Sequence, residues 1–565
     1  MKSLNTFSFF DPFGVIKFWQ EQTETAKKFF VDYHSFMTDF LQRAVLLTDV
    51  YIERGKKSVE KHHHFSRYEM EEILSGLNSE VPCNYHLMKI IPSENLVFKK
   101  TQDRVVLIGP PRTRKAGIEV TAEKNQASVA WKEGYEVYYL LFDPKPVPGQ
   151  TVADAVKTVS SYIKYLNKLH PHPEGVILVG NCREGWHSLL CSLDNPNDLE
   201  LKHTLFVSGT PFSPWSGESG DGSMRFNGIP LGGAWLTALS SDLLGGEVFD
   251  GANIAVAFDV GHSIENFLLG NGLRIFNSID TRRVEFLEME AWKSGFNQTT
   301  KKTMMWTLKN LFIGNKLERG QAELGERLLD MKDHPNLFIL FNSLGDNIAT
   351  VWQCQSWILE VWKDIESLKS SGKTIVIMVH PTTGHLGIFF SGRVAERWYG
   401  SILREMIKLE ELPPGLFRAI PQEDGSLLVE KMFFSEIPIP NPQGREILEK
   451  AAKDSERNLA IYDEFFGSWV RKWISPWTKN VFFHFHPYRL QRYPFLFSDF
   501  NPFFVLIKNL TKNVRQNRLP ISEPENNFFF QIFKAITDSA SKVLKGVEAE
   551  NTSRNRKLAV QRYDC

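Results

Sequence analysis

Gly175-Val176-Ile177-Leu178-Val179-Gly180-Asn181-Cys182-Arg183-Glu184-Gly185-Trp186-His187 is the stretch on which the reading of this chain turns. From Val176 to Val179 it is apolar and uncharged, like a buried strand of a parallel sheet. After Cys182 it is compatible with a helix. Between the two stands one nucleophilic side chain on a sharp turn. A strand–turn–helix of this kind lifts a reactive atom above the carboxyl edge of a sheet. A free cysteine at a strand end is otherwise a small buried hydrophobe, so its partners must come from elsewhere in the chain.

Runs that read as strands occur at Arg104–Ile108, Glu136–Phe142, Val176–Val179, Thr204–Ser208, Leu337–Phe341 and Thr374–Val379. Helical stretches separate most of them, among them Val152–Leu169, Gln353–Ser370 and Val394–Leu409. Such alternation implies a mostly parallel sheet covered on both faces, with ligands at the carboxyl ends of its strands. The expected organisation is a helical region over 1–85, an α/β core over 86–410 and a helical, aromatic-rich region over 411–565. Within the core, the stretch from about 211 to 330 breaks the alternation where a lid would be inserted. Residues 11 to about 75 read as helix, with Phe29, Tyr33, Phe36, Phe40, Ala44 and Leu47 on one face. That face packs on a neighbouring domain or meets a lipid or polymer surface. The sheet pattern fades beyond about 412.

Lys+Arg and Asp+Glu each number 66 in 565 residues, which gives no general attraction to nucleic acid. The cysteines (Cys83, Cys182, Cys191, Cys354 and Cys565) are few, widely spaced and without a CxxC pair, as expected in a reducing compartment. The amino terminus lacks the pattern of a signal peptide, and no run reaches ~18 apolar residues. A cytoplasmic protein is expected, peripheral if its aromatic helices meet a granule or membrane.

A cysteine nucleophile needs a base, a group that orients the base and donors for an oxyanion. On an elbow sheet these follow as acid and then histidine, each just past a strand. Asp346 lies in Ser343-Leu344-Gly345-Asp346-Asn347, after the strand at 336–342. His385 lies in His380-Pro381-Thr382-Thr383-Gly384-His385, after the strand at 374–379. The expected roles are nucleophile for Cys182, base for His385 and orienting carboxylate for Asp346. His380 is the rival histidine, but it ends a strand and is followed by Pro381. The backbone N–H of Arg183 is the expected oxyanion donor, joined by Arg112 or Thr113, because Pro110 and Pro111 cannot donate. Trp215, Trp235 and Trp292 either line an acyl pocket or form ordinary lid core. No metal site is expected. His484-Phe485-His486 sets two imidazoles on one face of an extended segment without a third ligand. Gly372-Lys373-Thr374 leads into a strand, unlike a phosphate-binding loop.

With Gly180-Asn181-Cys182, Gly345-Asp346-Asn347 and Gly384-His385 in place, the chain resembles the polyhydroxyalkanoate synthases. It is similar also to a bacterial family of polyhydroxyalkanoate-synthase-like α/β-hydrolase proteins, through Gln42-Arg43-Ala44-Val45-Leu46, Leu231-Gly232-Gly233-Ala234-Trp235, Phe312-Ile313-Gly314-Asn315-Lys316-Leu317 and Gly384-His385-Leu386-Gly387-Ile388-Phe389. The resemblance implies an α/β-hydrolase fold and an acyltransferase that takes hydroxyacyl groups from coenzyme A thioesters onto Cys182. Acyl-CoA is then a substrate, and no cofactor is implied. Other readings are a thioesterase or esterase with the same residues, or a scaffold that binds polymer granules or membrane. Glu184 favours the scaffold. It stands where the elbow wants a small residue, and its long side chain is expected to distort the turn or set a carboxylate near the thiol.

Overall fold

In a computed structural model, the structure describes residues 12–59, 68–92, 98–111, 117, 124–217, 233–254, 275–293, 295–346, 348–439, 445–490 and 502–539. It contains a ten-stranded sheet. Its strands are β1 (Met70–Ser75), β2 (Tyr85–Ile90), β3 (Val105–Gly109), β4 (Glu136–Phe142), β5 (Val176–Asn181), β6 (His203–Ser208), β7 (Leu337–Ser343), β8 (Thr374–His380), β9 (Gly415–Pro421) and β10 (Leu427–Lys431). Their spatial order is β1-β2-β4-β3-β5-β6-β7-β8-β9-β10. From β4 across to β9 neighbouring strands are parallel, while β1, β2 and β10 join antiparallel. This is an α/β-hydrolase-like fold. The central strands are apolar almost throughout because helices cover both faces, and Val105–Ile108, Val176–Val179, Leu205–Val207 and Ile375–Met378 are all buried.

The sheet is wider than strand–helix alternation indicates. Residues 70–75, included in the helical reading of the amino-terminal region, form β1, and the first helix (α1, Pro12–Val59) ends well before them. Beyond 412, β9 and β10 extend the other side of the sheet. β1, β2 and β10 make antiparallel pairs, so they need no crossover helix and leave no alternation to read. Helix α2 (Gln126–Lys132) follows β3. Helix α3 (Val152–Leu169) matches its sequence signal, starting at a capping box in which the Thr151 side chain receives the Asp154 N–H and Asp154 receives the Thr151 N–H. The helix expected over Gln353–Ser370 is instead broken into Val351–Gln355, Trp357–Val361 and Ile365–Ser370. Asp364 restarts the last of these by accepting the Ser367 N–H at 2.7 Å.

Two compact units divide the chain. One combines Met1–Val59, His262–Ala291 and Arg492–Asn551, and its described residues are mostly helical; the other carries the sheet. In the helical unit, α1 supplies Leu46 and Val50 to a core with Ile275, Ile279 and Leu287. Phe36 and Phe40 meet Phe533, and Phe40 also meets Phe276. Arg518 joins Asp39 to Asp280. The amphipathic face of α1 therefore packs within its own unit, against segments far away in sequence.

In the sheet unit, strand order reverses between β3 and β5, where Gly109 is paired with Gly180 at the carboxyl edge. The opposite edge is closed by Arg104, which is 4% exposed. Its guanidinium donates to the carbonyls of Gly175 (2.5 Å), Glu174 (3.2 Å) and Val176 (3.1 Å), to Thr204 Oγ1 (3.0 Å) and to Glu410. Burial lowers its pKa to about 10, still charged near neutrality. Arg104→Met should destabilise the protein by about 3–5 kcal/mol, because the Glu410 carboxylate and several carbonyls lose their donors together. Arg104→Lys should recover only part of this, since an ammonium cannot span the same fan of acceptors. Urea unfolding of the three proteins measures both differences.

Candidate active site

Cys182 follows β5 and precedes α4 (Glu184–Asp194). Its φ is +51°, in the left-handed region that a non-glycine residue adopts only when its surroundings hold it there. The Cys182 N–H donates to the Ser208 carbonyl at 2.8 Å. Its own carbonyl accepts from Thr210 Oγ1 at 2.8 Å and from the Gly185 N–H at 3.1 Å. Just before it, Asn181 is fully buried in a reciprocal amide pair with Gln126, at 3.0 and 2.9 Å. Two glycines allow the strand and helix to meet this closely. A Cβ on Gly180 would fall 2.6 Å from the Gly185 Cα, and one on Gly185 would fall 2.1 Å from Thr210 Oγ1.

The histidine and carboxylate arrive from the ends of β8 and β7. His385 opens the helix α5 (His385–Phe390), and its Nε2 lies 3.1 Å from Cys182 Sγ. Its Nδ1 lies 2.7 Å from Asp346 Oδ2. The other oxygen of Asp346 accepts the N–H groups of Ile348 and Ala349, both at 2.9 Å, which fixes the carboxylate in its loop. The loops themselves are braced by Ser343 Oγ, which donates to the Thr383 carbonyl at 2.5 Å. Gly345 is required between them, because a Cβ there would lie 2.3 Å from the Thr382 carbonyl oxygen. Burial alone would pull the His385 pKa down. The Asp346 carboxylate and the Cys182 sulfur outweigh it by charge and hydrogen bonding, and hold the pKa well above the ordinary histidine range.

His380 is placed differently. Its Nδ1 accepts the Thr382 and Thr383 N–H groups at 3.1 and 3.0 Å, its ring lies against Trp398, and burial lowers its pKa. It shapes the loop that carries His385. Cys83, Cys191 and Cys354 are buried, whereas Cys182 is partly exposed.

Glu184 does not distort the turn. It is fully buried in the first turn of α4, and its Cγ lies 2.5 Å from the point where a Cβ on Gly109 would stand. The glycine ending β3 thus provides the space that a small residue at 184 would otherwise provide. The sequence signal for this was a glycine at the end of a strand, visible but not linked to Glu184. Gly209 is a second residue the sequence reading missed. It has φ +57°, and a Cβ there would sit 3.2 Å from the His385 ring, so a side chain would press on the imidazole.

Of the expected oxyanion donors, Arg183 directly follows Cys182 at the entrance to α4, while Arg112 and Thr113 lie outside the described residues. The Arg183 side chain is buried and donates to Thr307 Oγ1 at 3.3 Å. Trp215 packs on Leu448 and Ala451, donates to the Phe312 carbonyl at 3.2 Å and carries the Arg319 guanidinium over its ring. Trp235 lies against Tyr462, and Trp292 is buried. Trp215 is buried among these contacts, whereas Trp235 is only half-buried. His484 ends the helix Pro476–His484, so it and His486 do not share an extended segment.

The pairing of Gly109 with Glu184 is testable by a double-mutant cycle. Gly109→Ala should cost about 1–3 kcal/mol by overpacking. Adding Glu184→Ala should recover the part of that loss due to the Glu184 Cγ and leave a smaller remainder, since the new Cβ still stands 3.2 Å from the Val179 carbonyl oxygen. Thermal unfolding of the two single variants and the double variant gives the coupling.

Several known proteins are similar to this chain. An uncharacterized protein in the ackA 5' region of Rhizobium meliloti is 29% identical over 542 residues, covering 92% of this chain and 72% of the relative. Among solved structures, a hypothetical protein from Pseudomonas aeruginosa has 10% identity and a TM-score of 0.35, covering 62% of this chain and 97% of the other. A putative lipase from Acinetobacter baumannii has 10% identity and a TM-score of 0.30, covering 64% and 96%. An esterase from Pyrobaculum calidifontis has 13% identity and a TM-score of 0.30, covering 65% and 92%. The family described as protein of unknown function (DUF3141) matches residues 39–564, and the chain belongs to that family.

Proposed function

We propose that this protein is a cysteine-dependent acyltransferase that accepts hydroxyacyl groups from coenzyme A thioesters. The observation that carries the reading is the continuous hydrogen-bonded line from Cys182 Sγ to His385 (3.1 Å) and on to Asp346 (2.7 Å). That line begins on a left-handed turn at the carboxyl edge of the sheet, beside the switch between β3 and β5. The choice of thioester rests on the sequence resemblance and on the chemistry of sulfur. Exchange between a thiolate and a thioester is nearly balanced in energy, so the acyl group can be taken up and passed on.

In the first half-reaction His385 Nε2 takes the Cys182 proton, and Sγ attacks the thioester carbonyl. Asp346 holds the imidazole in orientation and stabilises its charge. The tetrahedral oxyanion forms beside the Arg183 N–H. When it collapses, the bond from carbon to the coenzyme A sulfur breaks, and the departing thiolate takes the proton from His385. The acyl group remains on Cys182 as a thioester. In the second half-reaction His385 takes a proton from an acceptor hydroxyl, which attacks the acyl-cysteine. The bond to Sγ breaks, and the proton returns to the cysteine sulfur. Water as acceptor makes the same cycle a thioesterase. Glu184, the feature that favours a non-catalytic scaffold, is accommodated by Gly109, and Cys182 keeps its turn.

Purified protein should release coenzyme A from a hydroxyacyl-CoA, and Cys182→Ala should lose that release while keeping its unfolding midpoint. Unchanged turnover in Cys182→Ala removes Cys182 from the chemistry. Product analysis separates the acceptors, because transfer gives an ester or oligomer and hydrolysis gives free hydroxy acid.

The raised His385 pKa also sets a pH dependence. Protonation of the leaving thiolate needs the imidazolium, so turnover should persist well above pH 6.5 and fall only as pH passes the raised value. Asp346→Asn removes the carboxylate that supports the charge. The alkaline fall should then move to lower pH, and turnover should drop by about 100-fold or more. A pH–rate profile of the two proteins tests both effects.

A further inference from the structure

A surface helix ordinarily turns its charged side chains outward and its apolar ones inward. The carboxy-terminal helices of the sheet unit depart from this beyond Tyr462, although Leu448 and Ala451 before it still pack inward. They are α6 (Arg445–Ile461), a π-helical turn over Tyr462–Gly467, α7 (Ser468–Trp473) and α8 (Pro476–His484). Asp242 is fully buried and accepts the Tyr462 hydroxyl at 3.0 Å, Arg471 Nη1 at 2.8 Å and Lys301 Nζ at 2.9 Å. Asp250, also buried, takes both arms of Arg489 at 2.6 Å, and that guanidinium sits 3.9 Å from the centre of the Phe483 ring. Buried charge thus pins the segment near both ends. The large apolar side chains are left outside, with Phe465, Phe466, Trp469, Trp473 and Trp477 each more than half exposed. Phe465, Trp469 and Trp473 recur every four residues, and the rings of Trp469 and Trp473 lie 5.9 Å apart.

We propose that this face docks on an anionic phospholipid bilayer, with its aromatic rings in the headgroup layer. Three observations choose this occupant. Tryptophan dominates the row, and its half-apolar, half-polar ring favours the boundary between lipid and water. After the exposed Asp463 and Glu464, the chain from Phe465 to Leu490 carries Arg471, Lys472, Lys479 and Arg489 and no Asp or Glu. Arg471 and Arg489 are committed to the buried aspartates, whereas Lys472 and Lys479 are exposed among the tryptophans, placed to meet anionic headgroups. A two-fold contact with a second copy would bring the same lysines together, with no carboxylate of this stretch to offset them. Among the described residues no helix is long and apolar enough to cross a membrane, so the attachment is to the surface.

The test is co-sedimentation of the full chain with vesicles of phosphatidylcholine, with and without phosphatidylglycerol. The protein should pellet with the phosphatidylglycerol vesicles and remain largely in solution with phosphatidylcholine alone. The triple variant Trp469→Ser, Trp473→Ser, Trp477→Ser should bind about tenfold more weakly or worse. Because those rings are exposed, its circular dichroism and unfolding midpoint should match the wild type. Lys472→Glu with Lys479→Glu should remove the preference for phosphatidylglycerol. Wild-type protein that stays in solution with both vesicles overturns the proposal, as does undiminished binding by the tryptophan variant. A dimer that forms in sedimentation velocity without vesicle binding, and is lost in the tryptophan variant, would assign the face to a second copy instead.

Discussion

The site depends on a backbone constraint at Cys182. A left-handed φ at a non-glycine residue costs about 1–3 kcal/mol and survives only where its neighbours hold it. Here Ser208, Thr210 and Gly185 bind the Cys182 peptide groups on both sides. The same turn forces β5, α4 and the segment after β6 into close approach, which explains the glycines at 180 and 185. Once the sulfur is held above the sheet edge, loops after β7 and β8 suffice to bring Asp346 and His385 to it.

The central sheet was legible in the sequence because its strands are buried on both faces and alternate with helices. Glu136–Phe142 and Val152–Leu169 coincide with their sequence signals to the residue. The outer strands were not legible, because antiparallel neighbours leave no crossover helix and half-exposed strands such as Met70–Ser75 lack a continuous apolar run. The three residues brought together at the site were legible by their order along the chain. What stayed hidden was contact between distant positions. Glu184 appears disruptive until Gly109 is set beside it, and that pairing comes from strand register. The helical unit was obscure for a similar reason. Its core joins α1 to Ile275, Ile279 and Leu287, more than two hundred residues away in sequence, and no local period reports such a contact.

The sheet unit uses buried carboxylates in two ways. Asp346 is held by amide N–H groups and turns one oxygen to an imidazole, a geometry that favours a positive charge on the ring. Asp242 and Asp250 take guanidinium groups from the carboxy-terminal helices and fix which side of those helices faces outward. The Asp250–Arg489 pair is buried on both sides, and breaking it by removing one partner should cost about 3–5 kcal/mol. Orientation of the aromatic row is therefore set by charge pairing inside the unit together with the packing of Leu448 and Ala451 on Trp215.

The most direct test of the central claim is intact-mass analysis after incubation with a hydroxyacyl-CoA, followed by peptide mapping. One added acyl group on Cys182 is expected, matched by released coenzyme A and absent in Cys182→Ala. Folded protein that acquires no adduct on Cys182, or acquires it equally after His385→Ala, would contradict it.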